Sequence, residues 1–307
     1  MTRFFYTLLT LLLLTFTSSK ATDYAAHSVL SSGKWVKIRV GSEGVYQLSP
    51  STLSEMGFGN PASVRLFGYN LPMLPEEDIE YIDDDLQEIP LYRRSDGILL
   101  FYSPGTVNWV RQDDSKFTHH NNPYSQYVYY FLTEGTPAEF KSEDTESTPT
   151  HTATTFPERI VIDNDAYSFL NSGRILFDSY EYNYNSTNTY SLNTAGISDG
   201  DVQIDLQFAT TGAGTLTVNG NGSKIATRSY SALSSYTSAR VSTISCSVTN
   251  SYSGSTTITL NLSSSSTLTK GRLDYIRACY TRNLSMSGVT YLPFRTHDHY
   301  NYRVTIS

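Results

Sequence analysis

The stretch Asp96–Leu132, DGILLFYSPGTVNWVRQDDSKFTHHNNPYSQYVYYFL, constrains the fold more than any other part of this chain. The apolar run Ile98–Tyr102 is stopped by Ser103-Pro104-Gly105, a strong turn signal, and a second strand carrying Trp109 follows. A polar connection then leads through Asn121-Asn122-Pro123-Tyr124 into a third strand, Tyr127–Leu132, loaded with aromatics. Short β-branched and aromatic runs punctuated by proline, glycine and asparagine are what antiparallel sheets are built from. The stretch predicts a β-protein.

The flanking sequence agrees. Val36, Ile38 and Val40 alternate with Lys37 and Arg39, Gly41–Gly44 turns the chain, and Val45–Leu48 is expected to return as the hairpin partner. A short helix should follow: Ser49 is a good N-cap, Pro50 suits the first helical position, Leu53 and Met56 share a face, and Gly57 ends it. Ser63–Phe67 reads as another strand. Residues 135–155 are rich in Thr, Ser, Glu and Pro with little to bury, so they are expected to be a linker. Beyond it Val202, Ile204, Leu206 and Phe208 alternate with polar residues, as do Leu216 and Val218, Ile244, Cys246 and Val248, and Ile258, Leu260 and Leu262. Asn219-Gly220-Asn221-Gly222 marks a hairpin turn, and Arg272–Arg282 is the strongest strand of this half. The expectation is an all-β chain of two consecutive β-domains. Residues 22–134 form the first, with one short helix, and residues 156–307 form a β-sandwich or jelly-roll-like second domain.

At 307 residues with 39% hydrophobic content, each half can bury a core. The net charge of −7 and the absence of a basic patch argue against nucleic-acid binding. The N-terminus has the form of an export signal. Arg3 is followed by an apolar Phe4–Phe16 segment and by small residues at Ser19-Lys20-Ala21, so residues 1–21 are expected to be a cleaved signal peptide. A retained anchor is the alternative, but the run is short for a span of about 20 residues. No cysteine sits at the cleavage region for lipid attachment. The mature chain is therefore expected to be exported and not transmembrane.

The sequence offers little chemistry. Cys246 shares a face with Ile244 and Val248, and Cys279 lies inside a strand, whereas catalytic thiols need an activating base and access. Export leaves a Cys246–Cys279 disulfide open. Asp83, Asp84 and Asp85 could supply calcium ligands, but consecutive carboxylates point in different directions and no EF-hand spacing is present, so a solvated acidic loop is the expectation. His297-Asp298-His299 places two imidazoles on one side of an extended segment, His119-His120 is adjacent rather than spaced, and neither has a third ligand motif. Tyr180, Tyr182 and Tyr184, and likewise Tyr127 and Tyr129, would alternate on strand faces as packing residues or as a sugar platform. Asn185-Ser186-Thr187 is a glycosylation sequon. No catalytic, cofactor-binding or metal residue is assigned.

An ordered set of short motifs carries a resemblance. Ser31-Ser32-Gly33-Lys34-Trp35 with Lys37-Ile38-Arg39 and Gly44-Val45-Tyr46 opens it, followed by Val64–Tyr69, Met73-Leu74-Pro75 and Leu100-Phe101-Tyr102. Phe117-Thr118-His119 leading to Asn122-Pro123-Tyr124-Ser125, Ser172-Gly173-Arg174, Arg272–Ile276 and Tyr280-Thr281-Arg282 complete it. In this order they resemble the N-terminal, non-catalytic region of the PorU-like sortases of the Bacteroidetes type IX secretion system, a gingipain-like cysteine peptidase family. The resemblance implies a peptidase domain with a His–Cys dyad elsewhere, as a partner in cis or from a split gene. It also implies a β-barrel partner at the outer membrane, and a whole enzyme that removes C-terminal sorting domains from exported cargo and joins the new carboxyl end to surface lipopolysaccharide. None of the family's catalytic residues has a matching position here. This chain would then be the scaffold or docking region, placed in the periplasm or at the cell surface, from a truncated or split gene. The alternative is a free-standing surface β-sandwich module that binds glycan or protein.

Overall fold

Among the described residues the chain forms nineteen strands and a single six-residue α-helix. The structure is a computed structural model that describes residues 25–76, 83–113, 115–140, 149, 151–171, 174–198, 200–234, 236–249, 254–295 and 302–306. The signal peptide expected over 1–21 and the His297-Asp298-His299 pair lie outside the described residues. Two units emerge, residues 1–108 with 124–142, and residues 109–123 with 143–307.

The first stretch of chain supplies β1 (Val36–Val40), β2 (Glu43–Leu48), α1 (Pro50–Glu55), β3 (Val64–Gly68), β4 (Gln87–Ile89), β5 (Tyr92–Arg93), β6 (Leu99–Pro104), β7 (Val107–Arg111), β8 (Phe117–Asn121) and β9 (Val128–Glu134). In the first unit these build a four-stranded sheet ordered β1-β9-β3-β4 and a three-stranded sheet ordered β2-β6-β5. One core, including Val40, Leu48, Leu53, Leu66, Phe101, Tyr130 and Leu132, draws on both sheets and the helix. The Tyr130 hydroxyl donates to Asn70 Oδ1 and accepts from Ser103 Oγ, each at 2.8 Å, so its burial leaves no polar atom unpaired. The helix follows the sequence closely: Ser49 Oγ accepts from Thr52 N at 3.1 Å, Pro50 opens it, and Gly57 follows at φ +84°.

The expected β1–β2 hairpin does not form. β1 pairs with β9 and β2 with β6, so Gly41–Gly44 carries the chain from one sheet to the other. Val40 and Leu48 thereby enter one shared core from different sheets. The turn after β6 fits against this crossing: a Cβ on Gly105, held at φ +67°, would lie 2.5 Å from Glu43 N. On the outer face of the β1–β9 pair, Lys37 sits 3.8 Å from the Tyr129 ring centre and Arg39 4.4 Å from that of Tyr127.

The second unit holds residues 109–123 of the β7–β8 hairpin, so the opening stretch Asp96–Leu132 contributes to both units. Its polar connection contains β8, in which Phe117 and His119 are buried while His120 is exposed. A strand with only two inward side chains, one of them histidine, carries too weak an apolar alternation to stand out. The remaining strands are β10 (His151–Ala153), β11 (Thr155–Asp163), β12 (Ser186–Asn193), β13 (Val202–Thr210), β14 (Gly214–Gly220), β15 (Ser223–Tyr230), β16 (Arg240–Val248), β17 (Ser255–Ser263), β18 (Gly271–Asn283) and β19 (Tyr302–Val304).

β10 and β19 pair in parallel, and the other eight form two four-stranded sheets, ordered β11-β18-β13-β16 and β12-β17-β14-β15. Counted from β11, these orders are first-eighth-third-sixth and second-seventh-fourth-fifth, the double Greek key of a jelly roll. The inward residues predicted from alternation, Val202 through Phe208, Leu216, Val218 and Ile258 through Leu262, fill the space between the sheets. Asn221 and Gly222, at φ +48° and +83°, close the β14–β15 hairpin as a two-residue turn.

Candidate functional site

The outer face of the β11-β18-β13-β16 sheet is the place where polar chemistry gathers. Register sets Asp163 opposite Tyr275, Val161 opposite Arg277 and Asp205 opposite Arg277, so β11, β18 and β13 present these side chains together. A β-bulge sharpens the arrangement. Leu206 pairs with Ile276 but Phe208 with Leu273, which leaves Asp274 and Tyr275 against the single residue Gln207. Such a bulge re-aims side chains, and here it brings an acid from the strongest strand into the cluster. Beyond β11 the chain turns at Asn164, whose amide donates to Asp178 Oδ2 at 3.3 Å, and Asp165 follows.

The 109–123 hairpin lies on this face. His119 is 8% exposed, with its ring 4.7 Å from Tyr275 and 5.5 Å from Trp109. Its Nε2 is 2.9 Å from Asp163 Oδ2 and its Nδ1 is 3.0 Å from Arg277 Nη1. Arg277 also donates to Asp205 Oδ2 at 2.9 Å, and Asp205 accepts from the Ser245 hydroxyl. Arg159 packs its guanidinium over the rings of Trp109 and Phe117.

One oxygen each of Asp163, Asp165 and Asp274 lies within 4.8 Å of the other two. Their electrostatics diverge from that of Asp205. Burial and then the two neighbouring carboxylates push the Asp274 carboxyl up to about 7. Burial and Asp163 raise Asp165 against the hydrogen bond that Asn121 donates to it. Burial also acts on Asp205, but the hydrogen bonds from Ser245 and Arg277 outweigh it and hold the group below the usual carboxylate range. Chemically, the face offers an oxygen cluster that could hold a hard cation.

None of the three aspartates stands out in the sequence as a candidate, and His119 stands there only as one of an adjacent histidine pair with no third ligand motif. Two signals were present. Asp163 and Asp165 follow the apolar run Ile160-Val161-Ile162 at a two-residue spacing, and Asp274 interrupts an otherwise apolar, aromatic strand.

The residues that were singled out are placed otherwise. Cys246 and Cys279 are both free thiols. Cys246 pairs across from Ile204 and Cys279 from Gln203, on opposite faces with β13 between them. Strands two apart are separated by roughly 9–10 Å, beyond disulfide reach. Cys279 Sγ contacts Phe117 O at 3.9 Å, and among the described residues neither cysteine is hydrogen-bonded to a histidine. A cavity of about 200 Å³ beside Cys279 is lined by Ser115, Gln203, Asp201 and Thr281 among others, and no histidine lines it.

Tyr180, Tyr182 and Tyr184 do not form one strand face. They lie in an irregular segment, and Tyr182 is wholly buried in the jelly-roll core, its hydroxyl 3.1 Å from that of Tyr190. Asp84 and Asp85 accept hydrogen bonds from the backbone at Ala25 and Val29, and Asp85 also accepts from Ser28 Oγ at 2.9 Å. These acids therefore fasten the 25–31 segment.

The fold thus defines an all-β protein in two units, the second a jelly roll with a polar outer face under a hairpin. The chain is PorU-like. It matches the crystal structure of dimeric latent PorU from Porphyromonas gingivalis with a TM-score of 0.79 and 26% identity, over 92% of this chain and 28% of that one. It therefore spans about 28% of the length of the PorU chain it matches. A CBM36 domain of a multidomain xylanase from the Trinervitermes trinervoides hindgut metagenome covers 39% of this chain and 96% of its own, with 14% identity and a TM-score of 0.27. A family 35 carbohydrate-binding module from an environmental isolate covers 45% and 93%, with 19% identity and a TM-score of 0.27. No family model and no curated protein matches the sequence.

Proposed function

We propose that this chain is the N-terminal, non-catalytic β-region of a PorU-like type IX secretion sortase, exported by the signal at residues 1–21 and working at the outer membrane. Its task is to scaffold or dock the cysteine peptidase domain that processes C-terminal sorting domains of exported cargo, beside a β-barrel partner. The observation that carries the reading is the match to PorU over nearly all of this chain and a minor part of the PorU chain. The burial of Cys279 and the partial burial of Cys246, which raise both thiol pKa values above the ordinary range, support a non-catalytic role.

The test is deletion of the gene, with cargo read by mass spectrometry of the secreted fraction. Cargo that keeps its C-terminal sorting domain, and regains normal processing on complementation, supports the reading. Unaltered cargo processing would overturn it. Unaltered processing together with retention of the purified chain on a glycan array would move the assignment to a surface binding module.

A further inference from the structure

We propose that Asp163, Asp165 and Asp274 form a calcium site on the jelly-roll unit. Oxygens within 4.8 Å of one another can share one cation at metal–oxygen distances of roughly 2.3–2.6 Å. Clustered acids alone would not identify a ligand, but two independent features do. Asp274 is 9% exposed, faces Asp163 and Asp165, and among the described residues receives no hydrogen bond or ion pair. The Asp163 side chain is 10% exposed. Its Oδ2 is taken by His119, while its Oδ1 is buried without a hydrogen-bond partner. A buried carboxylate oxygen that finds no donor, as Asp163 Oδ1 does, is costly, and beside Asp163 stand two further carboxylates instead of a cation from the protein. A bound divalent ion reverses that penalty.

The donor set selects the ion. All three groups offer oxygen, and both nitrogens of His119 are already engaged, which disfavours zinc. The carboxylates come from a strand end, a turn and a bulge. That irregular arrangement suits the flexible shell of calcium better than the strict octahedron of magnesium. His119 acts as a positioning residue, because the Arg277–His119–Asp163 chain fixes the Asp163 carboxylate. Three carboxylates supply fewer than the six to eight oxygens calcium takes, so water completes the shell. The expected affinity is in the range of about 0.1–1 mM, typical of extracellular modules. The ion would tie the end of β11 to the β18 bulge and, through His119, to the hairpin.

The mature chain, stripped with EDTA, is titrated with CaCl2 by calorimetry and by thermal unfolding. One binding event and a rise in Tm of about 3–10 °C at about 10 mM calcium are expected, with a smaller rise for MgCl2. Asp274→Asn should weaken calcium binding at least about tenfold, yet be no less stable than wild type in EDTA, since it removes like-charge repulsion. Glu181→Gln, outside the cluster, should bind as wild type does. If Asp274→Asn does not fold, Asp165→Asn, at an exposed position, takes its place in the same titration. No heat and no change in Tm for the wild type up to about 10 mM calcium, or an unaltered calcium response in the aspartate variants, would overturn the proposal.

Discussion

Arg277 Nη1 lies 3.0 Å from His119 Nδ1, and this contact decides which ring nitrogen carries the proton. A guanidinium has donors only, so Nδ1 must accept. The ring proton therefore sits on Nε2, which donates it to Asp163 Oδ2 at 2.9 Å. Long-range proton–nitrogen NMR should report the Nε2–H tautomer for His119. Arg277→Met removes the donor and also leaves the Asp205 carboxylate without its cation, so urea unfolding should show a loss of about 3–5 kcal/mol. A loss below about 1 kcal/mol would mean that the chain of contacts does not hold the hairpin.

Much of the jelly roll was legible because it is local. Val202 to Phe208 declare their inward face by strict alternation, and Asn221-Gly222 fixes its own turn. The first unit was harder. Val36–Val40 and Val45–Leu48 read as the two arms of a hairpin, but which partner strand each takes depends on β9 and β6, far along the chain. The acidic face was hidden for a related reason. Asp163 and Asp274 meet only through the β11–β18 pairing and a bulge, and neither register nor bulge is written in composition. His119 looked ordinary because its partners, Asp163 and Arg277, come from strands beyond the linker.

Asp205 gives the unit an acid-sensitive term. Its pKa lies below the ordinary aspartate value of about 3.9, so the folded state binds its proton more weakly than the unfolded state. That stability is fully present above the unfolded pKa and is lost as pH falls through the folded one. Asp205→Asn should lower Tm at neutral pH while narrowing its gap to the wild type below about pH 4. A gap constant across the acid range, measured by thermal unfolding, would contradict this assignment.

The two cysteines, Cys279 buried and Cys246 partly buried, should both behave as poorly reactive thiols. Burial, and secondarily Asp205, pushes the Cys246 thiol up to about 11, and burial raises Cys279. Ellman's reagent should therefore react slowly with the native protein and count both thiols after denaturation. An intact mass showing the loss of two hydrogens, with no titratable thiol in denaturant, would instead mean that Cys246 and Cys279 are joined.

Gly271 marks the tightest place in the jelly-roll core. Its backbone exchanges two 2.8 Å hydrogen bonds with Tyr182, which holds the 177–184 segment against the start of β18. A Cβ there would lie 2.7 Å from two ring carbons of Phe208 and 2.9 Å from a methyl of Leu262. Phe208 cannot easily withdraw, because Tyr182 packs edge-on against its other side at 5.1 Å. Gly271→Ala should therefore cost about 1–3 kcal/mol through overpacking, read as a lower urea midpoint. Phe208→Leu alone should also destabilise, by leaving a cavity. The double variant should lose less than the sum of the two, since the smaller side chain makes room for the added methyl. Simple additivity in that cycle would show that the close approach at Gly271 is relieved elsewhere.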